Sequence, residues 1–151
     1  MLRPSKKCVL ALEAVTDIAY HGGPEPVQSQ DIARRLILPR RYLEQVMQQL
    51  VRAGILRGVR GPRGGYRLAR ERHRVSVGDV VRVVRGIEEM PADEDFASAS
   101  ELGRKVVGPF WARTEQELMS RLHRVTIEDL CRRAEERGVV SEAVREVEFA
   151  L

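Results

Sequence analysis

The sequence predicts a mainly α fold with a small β-hairpin wing, because three short helix-type segments are followed directly by a hairpin segment. Residues 5–53 of the 151-residue chain carry apolar positions three and four apart, which is the spacing of amphipathic helices. A stretch rich in glycine and arginine follows and predicts two short strands around a tight turn. Three helices and a hairpin in this order indicate a winged helix-turn-helix domain, and a long helix is expected after it.

The three N-terminal helices are expected over residues 5–21, 29–36 and 39–53. Ser29 is a suitable N-cap for the second helix, because its hydroxyl can accept a hydrogen bond from a backbone N–H of the first turn. Pro39 suits the first position of the third helix, where a missing N–H needs no partner. Glycines follow the first and third segments and are typical of helix ends.

The hairpin is expected over residues 55–60 and 65–69, with the tip at residues 61–64. Ser76 followed by Asp79 has the spacing of a capping box and predicts a fourth helix that runs through about Arg85.

The chain changes character after the fourth helix, and its sequence divides into four parts. We expect a winged helix-turn-helix domain at 1–86 and an acidic loop or linker at 87–100. A long helix and a following helix are expected at 101–137, and a C-terminal tail at 138–151. The long helix begins near Glu101 or at Pro109, and Thr126 with Asp129 forms a second capping box.

The charges of the two halves are opposite. Up to Arg85 there are 17 basic and 7 acidic residues, a net charge of +10, whereas the remainder has 9 basic and 15 acidic residues, a net charge of −6. This asymmetry indicates a polyanion-binding half joined to a half with another task, although arginine richness can also reflect genomic base composition. No apolar run approaches the roughly 18 residues of a membrane span, so we expect a cytoplasmic protein with no membrane partner.

The third helix separates apolar from polar residues. Four apolar residues fall on one arc, and the opposite arc consists of Arg40, Arg41, Glu44, Gln45, Gln48 and Arg52. Arginine can pair with guanine, glutamine with adenine, and glutamate with cytosine, so this arc suits base reading in a major groove. Any helix that faces solvent also has a polar arc, so the arc alone is compatible both with base recognition and with an ordinary solvent-exposed face.

The hairpin region favours a nucleic acid partner. Seven arginines lie between residues 57 and 74, against the single acid Glu71. Arginines near a tip of glycine and proline can follow phosphates or enter a narrow minor groove. Tyr66 is the only aromatic residue of the hairpin, whereas single-strand binders stack bases on several aromatic rings, so duplex DNA is favoured over RNA.

Four segments carry a family resemblance: DIARR at 31–35, RYLEQV at 41–46, LVRAGIL at 50–56, and above all RGPRGGYRLA at 60–69. They resemble the Rrf2 family of bacterial winged helix-turn-helix transcription regulators, the family of IscR, NsrR and CymR. The resemblance continues through 77–81 and, more loosely, through Trp111 and 125–130. It implies a homodimer formed by the long helix, with two winged helices on the half-sites of a near-palindromic operator.

The site residues follow from the resemblance together with the polar arc of the third helix. The predicted DNA-binding residues are Ser5, Lys6, Ser29, Gln30, Arg40, Arg41, Tyr42, Glu44, Gln45, Gln48, Arg60, Gly61, Pro62, Arg63 and Gly64. The predicted dimer interface consists of Val107, Phe110, Trp111, Leu118, Leu122 and Val125. Pro39 and Arg40 depart from the small polar residues common in the family, so the operator sequence is left open.

We expect a cluster-free member of this family, without a cofactor or metal. Cluster-binding members place three cysteines ahead of the long helix, and iron–sulfur clusters need thiolates, but residues 90–107 contain no cysteine. Cys8 and Cys131 are the only two cysteines and are best explained as buried apolar residues.

The main functional hypothesis is a dimeric, sequence-specific repressor that binds double-stranded DNA. The alternative is a winged-helix interaction module that binds an acidic protein through its basic face. An effector, either a small molecule or a protein, is compatible with both. An enzyme is not expected, since no nucleophile with a base, phosphate loop or metal constellation is visible.

Overall fold

The computed structural model describes residues 3–88 and 100–143 and confirms a mainly helical chain with one antiparallel hairpin. The helices are α1 (Lys6–His21), α2 (Ser29–Leu36), α3 (Arg40–Arg52), α4 (Val77–Glu88), α5 (Gly108–His123) and α6 (Ile127–Glu136). The strands are β1 (Leu56–Val59) and β2 (Gly65–Leu68). A 3₁₀ turn at Arg72–Arg74 precedes α4, and a π-helical turn at Gly103–Val107 runs directly into α5.

The helix α1 lies at the centre of the hydrophobic core. Its residues Leu10, Ala14, Val15 and Ile18 are buried, and α2, α3, α4, α6 and β2 all pack against it. None of the described helices is long and apolar enough to cross a membrane.

The helix α6 belongs to the same core as the winged helix. Ile127 and Cys131 are buried in the cluster that α1 organises. Two backbone hydrogen bonds of 2.8 Å, from Val77 N–H to the Val125 carbonyl and from Ile127 N–H to the Val75 carbonyl, join the start of α4 to the start of α6. The division predicted near residue 86 therefore marks a change of net charge, while the core continues across it.

Both predicted capping boxes are confirmed. The Ser76 hydroxyl accepts from Asp79 N–H at 3.0 Å, and the Asp79 carboxylate accepts from Ser76 N–H at 3.0 Å. Thr126 and Asp129 repeat this pair at 3.0 and 2.9 Å. These hydrogen bonds to the carboxylate lower the pKa of Asp129.

The helix α2 spans Ser29–Leu36 as expected, but two predicted capping positions and the end of the fourth helix differ by one to three residues. The N-cap of α2 is Gln28, and Ser29 is the first helical residue, because the Ser29 hydroxyl bonds to Glu44 instead of to the helix end. Pro39 is the N-cap of α3 with an extended ψ of 129°, so the helix proper begins at Arg40. The fourth helix continues past Arg85 to Glu88.

Two expected segments fall mainly outside the described residues. The acidic loop at 87–100 overlaps the undescribed stretch 89–99, and the tail at 138–151 is described only as far as residue 143.

The turn between α2 and α3 places Ile37 in a left-handed conformation. Its φ is 56° and its ψ is 55°, and 88% of the residue is exposed. For a β-branched residue this backbone conformation costs roughly 1–2 kcal/mol, and glycine is the residue that adopts it without strain.

Replacing Ile37 by glycine is expected to raise the free energy of unfolding by about 0.5–1 kcal/mol, because strain is removed while little packing is lost. Urea unfolding measures the change. The matched control is Gly54→Ala, at φ +77° with open space around the position, which should lower the free energy of unfolding. A lower stability for Ile37→Gly would contradict the assignment of strain to this turn.

Candidate nucleic-acid interface

The helix α3 presents one apolar and one polar face, as predicted. Leu43, Val46, Met47 and Leu50 are buried against the core. The exposed residues are Arg40, Arg41, Tyr42, Gln45, Gln48 and Arg52. The face available to a partner is therefore a continuous surface of donors and acceptors.

Glu44 is held between α2 and α3. Its carboxylate accepts from Arg40 Nε at 3.1 Å and from the Ser29 hydroxyl at 3.4 Å. Arg40 is four residues earlier on the same helix, so the two side chains form an ion pair on the helix surface. Both hydrogen bonds are accepted by Oε1, so Oε2 can accept from a base without replacing either partner.

The predicted DNA-binding residues outside α3 and the wing are not equivalent in the structure. Ser5 is the N-cap of α1 and accepts from Cys8 N–H at 3.1 Å, and Lys6 beside it is exposed. Gln30 is exposed and donates to Gln28. Ser29 is buried and faces Glu44, so its observed position favours a supporting role for α3 over direct contact with a phosphate.

The wing is a short antiparallel ladder with an arginine-rich tip. Arg57 lies directly opposite Arg67, so these two side chains share the outer face of the hairpin. At the tip Arg60 and Arg63 are exposed, together with Gly61 and Pro62. Gly61 has a φ of +114°, a conformation that other residues rarely adopt. Close to it, Gly64 N–H donates to the Gly61 carbonyl at 2.9 Å and closes the tip turn.

The base of the wing is attached to the segment between α1 and α2. Val27 and Tyr66 exchange two backbone hydrogen bonds of 3.0 and 2.8 Å. A side chain at Gly65 would collide with the Val27 carbonyl, so only glycine allows this approach. Burial, and next the negative charge of Glu44, raise the pKa of Tyr66.

Several of the arginines on α3 and the wing have no acidic partner. In the described part of the chain no ion pair involves Arg41, Arg57, Arg60 or Arg63. Arg67 donates to the Pro24 carbonyl and so strengthens the wing base. Like charges opposite each other in a ladder repel, so the Arg57 and Arg67 pair is better suited to a bound polyanion than to the free protein.

The predicted dimer residues divide into two groups. Val107, Phe110, Trp111 and Leu118 are exposed, and the Phe110 and Trp111 rings meet edge to face at 5.8 Å. Leu122 and Val125 are half-buried against the core of their own chain.

Sequence reasoning missed two further apolar residues at the same end, Leu102 and Val106, which are 70% and 57% exposed. Their apolar character in a helical segment was the available signal. Large exposed apolar surfaces of this kind indicate an interface.

Both cysteines belong to the hydrophobic core. Cys8 and Cys131 are both buried, and burial raises the pKa of the Cys131 thiol, although Arg72 partly offsets the effect. Among residues 3–88 and 100–143, no group of three or more histidine, cysteine, aspartate or glutamate side chains is arranged to hold a metal ion. The donor set therefore does not suit an iron–sulfur cluster, which needs accessible thiolates.

Comparisons with known proteins point to one family. The model of the Rrf2 family, described as an iron-dependent transcriptional regulator, matches residues 4–133. Protein Rrf2 of Nitratidesulfovibrio vulgaris is 34% identical over 122 residues, which are 78% of this chain and 79% of that protein.

Two solved structures have a similar fold. IscR of T. potens has 33% sequence identity and a TM-score of 0.73, over 92% of this chain and 93% of that one. CymR, the global cysteine regulator of B. subtilis, has 31% identity and a TM-score of 0.68, over 87% of this chain and 97% of that one.

The matched family and these structural neighbours are transcription regulators and not enzymes. The extent of the match, together with the helical order and the wing, leads to one conclusion: this chain belongs to the Rrf2 family of winged-helix transcription regulators.

Proposed function

We propose that the protein is a homodimeric repressor that binds a near-palindromic operator in double-stranded DNA. The exposed face of α3 lies in the major groove, and the tip at residues 60–64 reaches the adjacent minor groove. The observation that carries this proposal is a set of exposed arginines on α3 and the wing: Arg41, Arg60 and Arg63 lack acidic partners among the described residues. Such cations release counterions when they contact phosphates, which makes affinity steeply dependent on salt.

Recognition of a specific DNA sequence is supported by the kinds of side chain on α3. Arg41, Gln45 and Gln48 are exposed and can form paired hydrogen bonds with base edges. Tyr42 is 41% exposed and offers both an apolar ring and a hydroxyl.

Dimer formation is supported by the apolar surface of Val107, Phe110, Trp111 and Leu118. In a two-fold dimer the same surface serves both protomers, and each supplies one recognition helix. Helix-turn-helix dimers place these helices about 34–36 Å apart, one turn of DNA. A repressor of this kind acts by covering a promoter and excluding polymerase.

We also propose that regulation proceeds without an iron–sulfur cluster. The support is the position of the two thiols, each buried within the described core and neither beside a second cysteine in sequence. The iron dependence named in the family description therefore does not transfer to this chain.

Replacing Arg60 by alanine should weaken operator binding by about ten-fold or more at every operator sequence, because a tip cation is removed. Glu44→Ala should mainly relax base preference at one position, since its carboxylate accepts from a specific base. The operator is first recovered by selection from genomic fragments, and affinities are then measured by fluorescence anisotropy at several salt concentrations. The matched control is Arg113→Ala on α5, which should change affinity little.

Two outcomes would contradict the proposed placement. If Arg60→Ala and Glu44→Ala both bound the recovered operator like the wild type, α3 and the wing would not contact DNA as proposed. If selection returned no preferred sequence and a stoichiometric acidic protein partner were captured, the interaction-module hypothesis would replace the repressor.

Replacing Leu118 by aspartate should convert the dimer to a monomer, because a carboxylate would be buried without a partner in the interface. Sedimentation velocity measures the mass, and operator affinity should fall with it. Gln116→Asp, on a different face of the same helix, is the control and should leave the dimer intact. A dimeric Leu118→Asp protein would show that the interface lies elsewhere.

Anaerobically purified protein should contain no stoichiometric iron or acid-labile sulfide, and its visible absorption spectrum should lack sulfur-to-iron charge-transfer bands. Elemental analysis and the spectrum are recorded together on the dimer. A charge-transfer band with matching iron would overturn the cluster-free proposal.

A further inference from the structure

The described C-terminal residues 139–143, which we term the C-terminal clasp, fold back onto the end of α1. The Tyr20 hydroxyl donates to the Val139 carbonyl, and the Ser141 hydroxyl donates to the Tyr20 carbonyl at 2.7 Å. Ala143 lies against Gly23 just beyond α1. The clasp thus binds the helix end that precedes the helix-turn-helix, more than 100 residues away in sequence.

An ionic cluster connects the clasp to α2. Arg35 donates two hydrogen bonds of 2.9 Å to Asp17 of α1, and its third nitrogen donates to Glu142 at 2.6 Å. Arg34 also donates to Glu142, at 3.2 Å. The Arg35 side chain is only 12% exposed and Asp17 only 5%, so solvent screens their pairing weakly. Arg35 is therefore held from both sides by carboxylates of two other segments.

The helix α2 needs such a tether, because its own means of attachment are few. It has eight residues, which is too short for independent stability, and it lacks a side-chain N-cap bond. Its buried residues are Ser29, Ile32 and Ala33. The same helix carries Gln30 and supports Glu44 of α3 through Ser29, so a tilt of α2 would move groups proposed to meet DNA.

His21 is the last member of the ionic cluster, and its hydrogen bond defines the protonation state of its own ring. Its Nδ1 accepts from Glu142 N–H at 3.1 Å, so the ring is neutral with its proton on Nε2, which faces Asp17 Oδ2 at 3.9 Å. Burial lowers the pKa of His21. The carboxylates of Asp17 and Glu142 oppose this effect, and Arg35 and Arg34 add to it. A proton on Nδ1 would point at a backbone N–H and break the contact.

We propose that the C-terminal clasp positions the helix-turn-helix for DNA, with Glu142 as a positioning residue, and that protonation of His21 releases the clasp. This inference rests on the proposed operator binding. Glu142 touches no DNA in this arrangement and acts through Arg35 and α2. The clasp makes operator affinity dependent on a segment at the other end of the chain, and on pH.

The direction of the change in operator affinity distinguishes this proposal from a general effect of net charge. Removing a carboxylate makes the protein more positive, which by itself strengthens attraction to DNA. We expect the opposite for Glu142→Ala, namely operator binding about five-fold weaker, the equivalent of one ion pair with its hydrogen bonds. Glu136→Ala on α6 makes the same charge change outside the clasp and should bind as tightly as the wild type or more tightly.

The pH profile tests His21. The neutral ring is required, so the clasp is intact above the ordinary histidine pKa and is lost as pH falls through the lowered value. Operator affinity should therefore be constant above about pH 7 and decline as the pH falls below about 6.5, the ordinary histidine value, although protonation adds positive charge. His21→Asn keeps an acceptor for Glu142 N–H but cannot be protonated, so it should bind like the wild type at the upper pH and lose this decline.

A readout without DNA separates failure of this inference from failure of the proposed function. Hydrogen exchange of the α2 amides should be faster in Glu142→Ala than in Glu136→Ala at the same pH, because α2 loses its tether. Equal affinity of these two variants for an operator that the wild type binds would overturn the clasp proposal alone. A pH profile shared by His21→Asn and the wild type would overturn the role of His21. If the wild type binds no operator, the proposed function fails, while exchange in α2 still tests the clasp.

Discussion

Burial of α1 is the constraint on which the other elements depend. Its face of Leu10, Ala14, Val15 and Ile18 is in contact with α2, α3, α4, α6 and β2. Burying one such aliphatic side chain contributes about 1.5–3 kcal/mol, whereas an exposed ion pair contributes about 0–1 kcal/mol. Because α2, α3 and the wing all pack against α1, the core sets their relative positions. The exposed side chains then determine what they bind.

The core alone does not fix the elements proposed to meet DNA, and both the wing and α2 have a second, polar attachment. The wing is tied to Val27 by two backbone hydrogen bonds that only a glycine at position 65 permits. The helix α2 is tied through Arg35 to Asp17. Hydrogen bonds to base edges tolerate little displacement, so a reading surface built from short elements needs such attachments. Substitutions at these attachments are expected to change the proposed DNA affinity without removing a direct contact.

Local patterns predicted most of this architecture, because they depend on neighbours in sequence. The faces of α3 follow from helical spacing, and the capping boxes from residues three apart. Ser29 was misassigned because its hydroxyl bonds to Glu44, a partner in another helix. The strained Ile37 contradicts the preference for glycine at such turns, so no local rule indicates it. The pairing of Arg35 with Glu142 joins residues 107 apart, and a sequence read in segments contains no signal for it.

The opposite net charges of the two halves are explained in part by ion pairs between them. Acids from beyond residue 100 pair with arginines of the basic half: Glu142 with Arg34 and Arg35, Glu128 with Arg72, and Glu115 with Arg85. These arginines lie on α2, before α4 and on α4. On α3 and the wing, Arg41, Arg57, Arg60 and Arg63 are without acidic partners in the described chain. The acidic half thus neutralises arginines at contacts within the protein, whereas these arginines of α3 and the wing keep their charge available for the proposed contact with DNA.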